Sequence, residues 1–214
     1  VMATADLVLL TVPDDVLGHL VAGLVETDAV TPGQFLVHAS GRYGVGILEP
    51  ATRVGALPLA LHPVMTFRGT RADLDRLSGC PFGVTAPPVL RAVAEALVVE
   101  MGGDPVWVPE AARPLYHAAL ANGANHLVTL VAQTLDLLGS AGVERPAELV
   151  RPLLTASLDN VLRWGDEALT GPVARGDAGT VAAHLAALDR AAPEARSAYV
   201  AMARLTADRA LAAG

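Results

Sequence analysis

The chain carries six histidines, one cysteine and no lysine. Schiff-base chemistry, a Walker lysine and lysine acid/base catalysis are therefore absent from its repertoire. An imidazole with its ordinary pKa near 6.5 suits proton transfer at neutral pH. His62 is placed for such work. It follows the apolar run Leu59-Ala60-Leu61 and precedes Pro63 in "LALHPVMTFRGT", which then opens into a loop carrying Met65, Phe67 and Arg68. A histidine at a strand end can equally be a satisfied structural residue. In the functional reading, His62 moves a proton and Met65 faces substrate.

Two further strand ends carry notable residues. "LVLLTV" is followed by Pro13-Asp14-Asp15, where an aspartate either caps the next helix through its free N–H groups or contacts a ligand. "FLVHA" is followed by Ser40-Gly41-Arg42-Tyr43-Gly44, where a hydroxyl beside a glycine permits close approach of a ligand to the backbone, or simply makes a turn. A third constellation lies on a long helix. At 100° per residue Asn122, Asn125, His126, Thr129, Gln133 and Asp136 share one arc. A solvated face usually carries Glu, Lys and Arg. Amides, imidazole and hydroxyl suit a polar cleft, so Asn122, Asn125, His126 and Thr129 are candidates for substrate contact. His117, nine residues before His126, falls on the opposite side of this helix. No HxH, HExxH or CxxC motif is present, and no metal site is expected.

The elements that must hold these residues follow from hydrophobic spacing. Apolar strands are expected at 7–12, 34–39, 56–61, 82–86 and 105–109, with helices between them on the stripes Val16-Leu17-Leu20-Val21-Leu24-Val25 and Val89-Leu90-Val93-Leu97-Val98, and a short helix near 47–54. Alternation of this kind implies an α/β fold with a parallel or mostly parallel sheet. Beyond Pro109 only helices are expected, at about 111–139, 146–164, 178–190 and 194–212. The chain thus reads as an α/β domain over 1–110 and an all-α helical bundle over 111–214. The first strand is a near-continuous apolar run, the type buried on both faces within a sheet. Strands upstream of Val1 are expected on that ground.

Composition narrows the partners. The 214 residues are 52% hydrophobic with net charge −7, and the mean hydropathy is +0.44. A sizeable core is possible, and no basic cluster interleaves with aromatics, so nucleic acid is not expected. The longest uncharged stretch, Pro114 to Leu135, holds two asparagines, two histidines and a glutamine, a poor fit to hydrocarbon. A cytoplasmic protein with no membrane partner is the expectation. The Ala-rich helical half suits a homodimer.

Taken in order, "DLVLLTVPDD", "VHASG", "HPVMTF", "YHAALANGANHLVTL" and "ALTGPVARGD…VAAHLAAL" resemble a bacterial family that joins a Rossmann-like oxidoreductase domain to a C-terminal helical domain of unknown function. More distantly the chain is similar to prephenate dehydrogenases, pyrroline-5-carboxylate reductases and 6-phosphogluconate-type dehydrogenases. The resemblance implies NADP or NAD as cofactor and hydride transfer to or from a small-molecule hydroxyl/carbonyl or amine/imine carbon. It places Val12, Pro13 and Asp14 along the dinucleotide and Ser40 and Gly41 beside the nicotinamide. His62 then serves the substrate hydroxyl, and Asn122, Asn125 and His126 meet substrate and nicotinamide. The catalytic candidates are His62, His126, Asn122 and Ser40. Two departures matter. The family's GxGxxG phosphate-binding turn does not occur in this sequence, so weak dinucleotide binding is expected. The lysine that some relatives place four residues before the asparagine is replaced by Ala118. A non-catalytic dimeric ligand-binding or sensory protein on the same fold is the alternative.

Overall fold

The computed structural model describes residues 4–213. Five strands and eight helices alternate and then give way to helices alone. The order is β1 (Leu7–Leu10), α1 (Asp14–Glu26), β2 (Phe35–His38), α2 (Glu49–Arg53), β3 (Leu57–Pro63), α3 (Ala72–Leu77), β4 (Pro81–Thr85), α4 (Arg91–Glu100), β5 (Asp104–Trp107), α5 (Arg113–Ser140), α6 (Pro146–Trp164), α7 (Ala178–Ala191) and α8 (Arg196–Ala213). The strands pair in chain order, parallel except between β3 and β4. The sheet is mostly parallel, as its sequence pattern implies.

Alternation along the strands sorts side chains to two cores. Leu10 and Leu36 join Leu17 and Val21 of α1 and Ala51 of α2 on one face. Val37, Leu59, Leu61, Phe82 and Val84 meet Ala94 and Val98 of α4 on the other. Each helix buries the centre of its expected stripe, while Val16 and Val89 at the stripes' starts stay exposed. Strand β1 is less covered than the strands beside it. It pairs only with β2 among the described residues, and Leu7 and Leu9 stay 39% and 54% exposed. One face of β1 is covered by α1, whereas α4 packs over β3 to β5 and does not reach the other.

One compact unit, containing the sheet, ends at Gly123, and a second, helical unit begins at Ala124, inside the continuous helix α5. Within the second unit, the Asp177 carboxylate accepts from the Thr180 N–H at 3.0 Å and caps α7. Gly165, at φ +58°, ends α6 in a conformation that disfavours side chains. Helix α6 buries only Val150, and leaves Leu153 65%, Leu162 76% and Trp164 55% exposed. No helix among the described residues is long and apolar enough to cross a membrane.

Candidate active site at the strand ends

In open α/β sheets, ligands gather beyond the carboxyl ends of parallel strands. Here β2 and β3 end side by side, with His38 registered against Ala60. Their extensions bring Ser40, Gly41 and His62 together. The imidazole of His62 meets bare backbone: a Cβ on residue 41 would lie 2.9 Å from His62 Nε2 and 2.9 Å from His117 Cδ2. Glycine is needed at 41 for that close approach, not for a special φ. The His62 and His117 rings stand edge to face, 6.5 Å apart.

His62 Nδ1 lies 2.8 Å from the Tyr116 hydroxyl, which itself sits against Gly83, the residue registered opposite His62 on β4. Nε2 has no hydrogen-bond partner among the described residues and is not a buried orphan, so it reaches solvent. Burial moves the His62 pKa from 6.5 down to about 4, and the Arg113 and His117 charges push the same way. The ordinary value expected from the sequence does not hold here. At neutral pH His62 is an uncharged imidazole.

Arg113 organises this floor. Its side chain is 1% exposed. Nε donates to Thr85 Oγ1 at 2.8 Å, Nη1 to the Ser40 carbonyl at 3.3 Å, and Nη2 to the Ala60 and Gly83 carbonyls at 3.2 and 2.9 Å. One guanidinium thereby ties the β2 extension to β3 and β4, using the fixed fork that lysine lacks. Among the described residues no carboxylate forms an ion pair with it, and its charge is felt by His62 and His38.

The turn after β2 is built from its own residues. The Ser40 N–H donates to His38 Nδ1 at 3.2 Å, which leaves the proton on Nε2 to donate to the Gly44 carbonyl at 2.9 Å. Both nitrogens of the fully buried His38 are committed, and burial lowers its pKa. Ser40 Oγ accepts from the Arg42 and Tyr43 N–H groups, both at 3.2 Å. The Glu110 carboxylate accepts from the Val45 and Gly46 N–H groups at 2.8 and 3.0 Å, and a Cβ on Gly44 would overlap that carboxylate. Gly44 has φ −93°, so Gly44→Ala tests the contact and not backbone strain. We expect Gly44→Ala and Glu110→Ala each to cost about 1–3 kcal/mol, the range for charge-assisted bonds lost. The double variant should cost little more than either alone, since both remove one interaction. Urea denaturation of the four proteins checks this; additive losses would contradict it.

The other sequence candidates fall as follows. Pro13 is the residue before α1 and its carbonyl accepts from the Val16 and Leu17 N–H groups. Neither Asp14 nor Asp15 caps α1 through its side chain; both lie in the first turn, where the helix dipole favours them. The Asp14 charge acts on His38 and His62, so it belongs to this neighbourhood. Val12 packs on the α1 core and Met65 on the α4 core. Asn122, Asn125, His126 and Thr129 are exposed along α5, and Thr129 Oγ1 donates to the Asn125 carbonyl at 3.1 Å. In the helical unit Thr129, Gln133, Asp136 and Ser140 line a groove of about 400 Å³ with Glu194. The sequence reading missed Arg113 and Tyr116 and set His117 aside. Their i, i+3, i+4 spacing puts all three on one face of α5, and that spacing was the available signal.

Fold and strand-end site define a Rossmann-like α/β protein with a helical C-terminal region. A Rossmann-like domain model matches residues 1–63. Residues 80–206 match the model described as "Domain of unknown function (DUF2520)", and the chain belongs to that family. No curated protein matches the sequence. Among solved structures, a provisionally assigned NADP oxidoreductase of Bacteroides fragilis is 20% identical, with TM-score 0.78 over 95% of this chain and 76% of that one. A Thermotoga maritima protein is 22% identical, with TM-score 0.74 over 95% and 78%. A reductive aminase of Aspergillus terreus in complex with NADPH and ethyl levulinate is 18% identical, with TM-score 0.62 over 100% and 76%. These likenesses establish the fold.

Proposed function

We propose that the protein is an NAD(P)-dependent oxidoreductase acting on a small-molecule carbonyl or imine, or on the corresponding hydroxyl or amine. The observation that carries this reading is the uncharged His62, whose Nε2 sits against bare Gly41 backbone at the ends of β2 and β3. The missing Cβ at Gly41 admits the His62 and His117 rings, and so holds a hydrogen-bonding imidazole at the ends of two parallel strands. The residues present fit the nicotinamide end of a dinucleotide: Gly41 and the Ser40 turn would lie beside the ring, and Val12, Pro13 and Asp14 would flank the rest. Bound there, a reduced nicotinamide supplies hydride. The chain's own part is to orient the acceptor and to manage its proton at His62. The structural relatives with NADPH in their complexes support the same cofactor class.

The exposed apolar residues of α6 support a homodimer formed through the helical unit. Titration of the protein with NADPH and NADH, followed by nicotinamide fluorescence, should show saturation at or below about 1 mM. Light scattering on the same sample should return twice the chain mass. Absence of any binding at millimolar cofactor defeats the oxidoreductase reading.

A further inference from the structure

We propose that Tyr116 is the proton reservoir behind His62: its hydroxyl donates to Nδ1, fixes the tautomer that carries hydrogen on Nε2, and refills His62 when that hydrogen leaves. This rests on the reading of the site as a carbonyl or imine reductase, and adds to it a second proton-handling residue and a direction of transfer.

Hydrogen-bond accounting gives the direction. Two neutral groups share one 2.8 Å contact. Burial holds the Tyr116 phenol above its ordinary pKa and the imidazole below its own, so neither is charged at pH 7. Among the described residues, His62 Nδ1 is the sole hydrogen-bond partner of the Tyr116 oxygen. Were Nδ1 the donor, the phenolic proton would be left without an acceptor in a half-buried place, at a cost. With the phenol as donor, both groups are satisfied. The hydrogen on Nε2 then faces solvent beside Gly41 and His117.

The surroundings favour a transfer that never builds an imidazolium. Arg113 and His117 both oppose positive charge on His62. In a relay, the Nε2–H bond breaks as its proton passes to the substrate oxygen or nitrogen that has gained electrons from the arriving hydride. The Tyr116 O–H bond breaks as its proton moves to Nδ1. His62 ends neutral in the other tautomer, and the negative charge rests on the Tyr116 oxygen. Arg113 has its Cζ 5.6 Å from the Tyr116 ring centroid and lowers the cost of that phenolate. Solvent protons then restore the starting state. Gly83 has no side chain to displace the hydroxyl from this position.

The test uses the cofactor-free protein, so it stands or fails apart from nicotinamide binding. Imidazole 15N NMR of the wild type should show Nε2 protonated and Nδ1 as acceptor; Nδ1 protonated overturns the proposal. The second readout is the His62 tautomer in Tyr116→Phe, by the same 15N measurement. With the phenol gone, nothing at Nδ1 fixes the tautomer, so a share of Nδ1–H should appear. The groups facing His62, namely Arg113, His117, Asp14 and His38, are the same in both proteins. Nε2 protonated to the same extent as in the wild type overturns the proposal. A Tyr116→Phe protein that fails to fold leaves the wild-type 15N result to decide.

Discussion

Arg113→Ala is expected to destabilise the sheet-containing unit by roughly 3–5 kcal/mol, because each buried acceptor left unsatisfied costs about 1–3 kcal/mol. Four acceptors lose their donor: Thr85 Oγ1 and the carbonyls of Ser40, Ala60 and Gly83. The Thr85 hydroxyl still donates to the Val108 carbonyl at 2.6 Å, so its loss is partial. Two effects work the other way. Removing an unpaired buried charge returns its desolvation cost, and water can enter the space to meet some carbonyls. These keep the total near the low end of a simple sum. Arg113→Lys should recover only part of the loss, since one ammonium cannot reach acceptors on three strands at once. Urea midpoints at pH 7 for the three proteins measure this. A loss under about 1 kcal/mol for the alanine variant would mean that water replaces the guanidinium, and that the strand ends do not depend on it.

That dependence also shows which parts of the site the sequence could reveal. Local rules placed the framework well: Pro13-Asp14-Asp15 opens α1, Pro146 opens α6, and the apolar stripes give the buried faces. The reversed direction of β4 was not legible. Seventeen residues, including α3, link β3 to β4, and such a length allows either a crossover or a return. Strand-end logic led to Ser40, Gly41 and His62, because that argument needs only strand boundaries. Arg113 and Tyr116 stand beside Pro114 and Leu115 and look like an ordinary helix start. Their importance arises from a hydroxyl, carbonyls and an imidazole that lie 28 to 73 residues away in sequence. On its own helix His117 stands nine residues from His126, on the opposite side. Its neighbour proved to be His62, on a strand.

The depressed pKa of His62 predicts a specific loss of stability in mild acid. The folded protein titrates at about 4 and the unfolded chain near 6.5. Between those values the unfolded chain binds a proton that the folded one refuses, so stability falls as pH drops. The contribution is complete above pH 6.5 and spent below pH 4. Full conversion of the shift would overstate the effect for a half-buried group, and solvent screening brings it to roughly 1–2 kcal/mol. His38 is displaced in the same direction and adds to the slope. Asp73 and Asp177 lie below the usual carboxylate range, so their losses come at lower pH and leave this window to the histidines. Replacing the titrating ring isolates its share. His62→Gln should lose less stability than wild type between pH 7 and pH 4.5, with a residual slope belonging to His38. Urea midpoints of both proteins at the two pH values provide the difference. Equal slopes would assign the whole dependence to His38 and remove the argument that His62 is held neutral. A smaller slope in the variant ties the acid sensitivity of the fold to the same uncharged imidazole on which the proposed proton transfer depends.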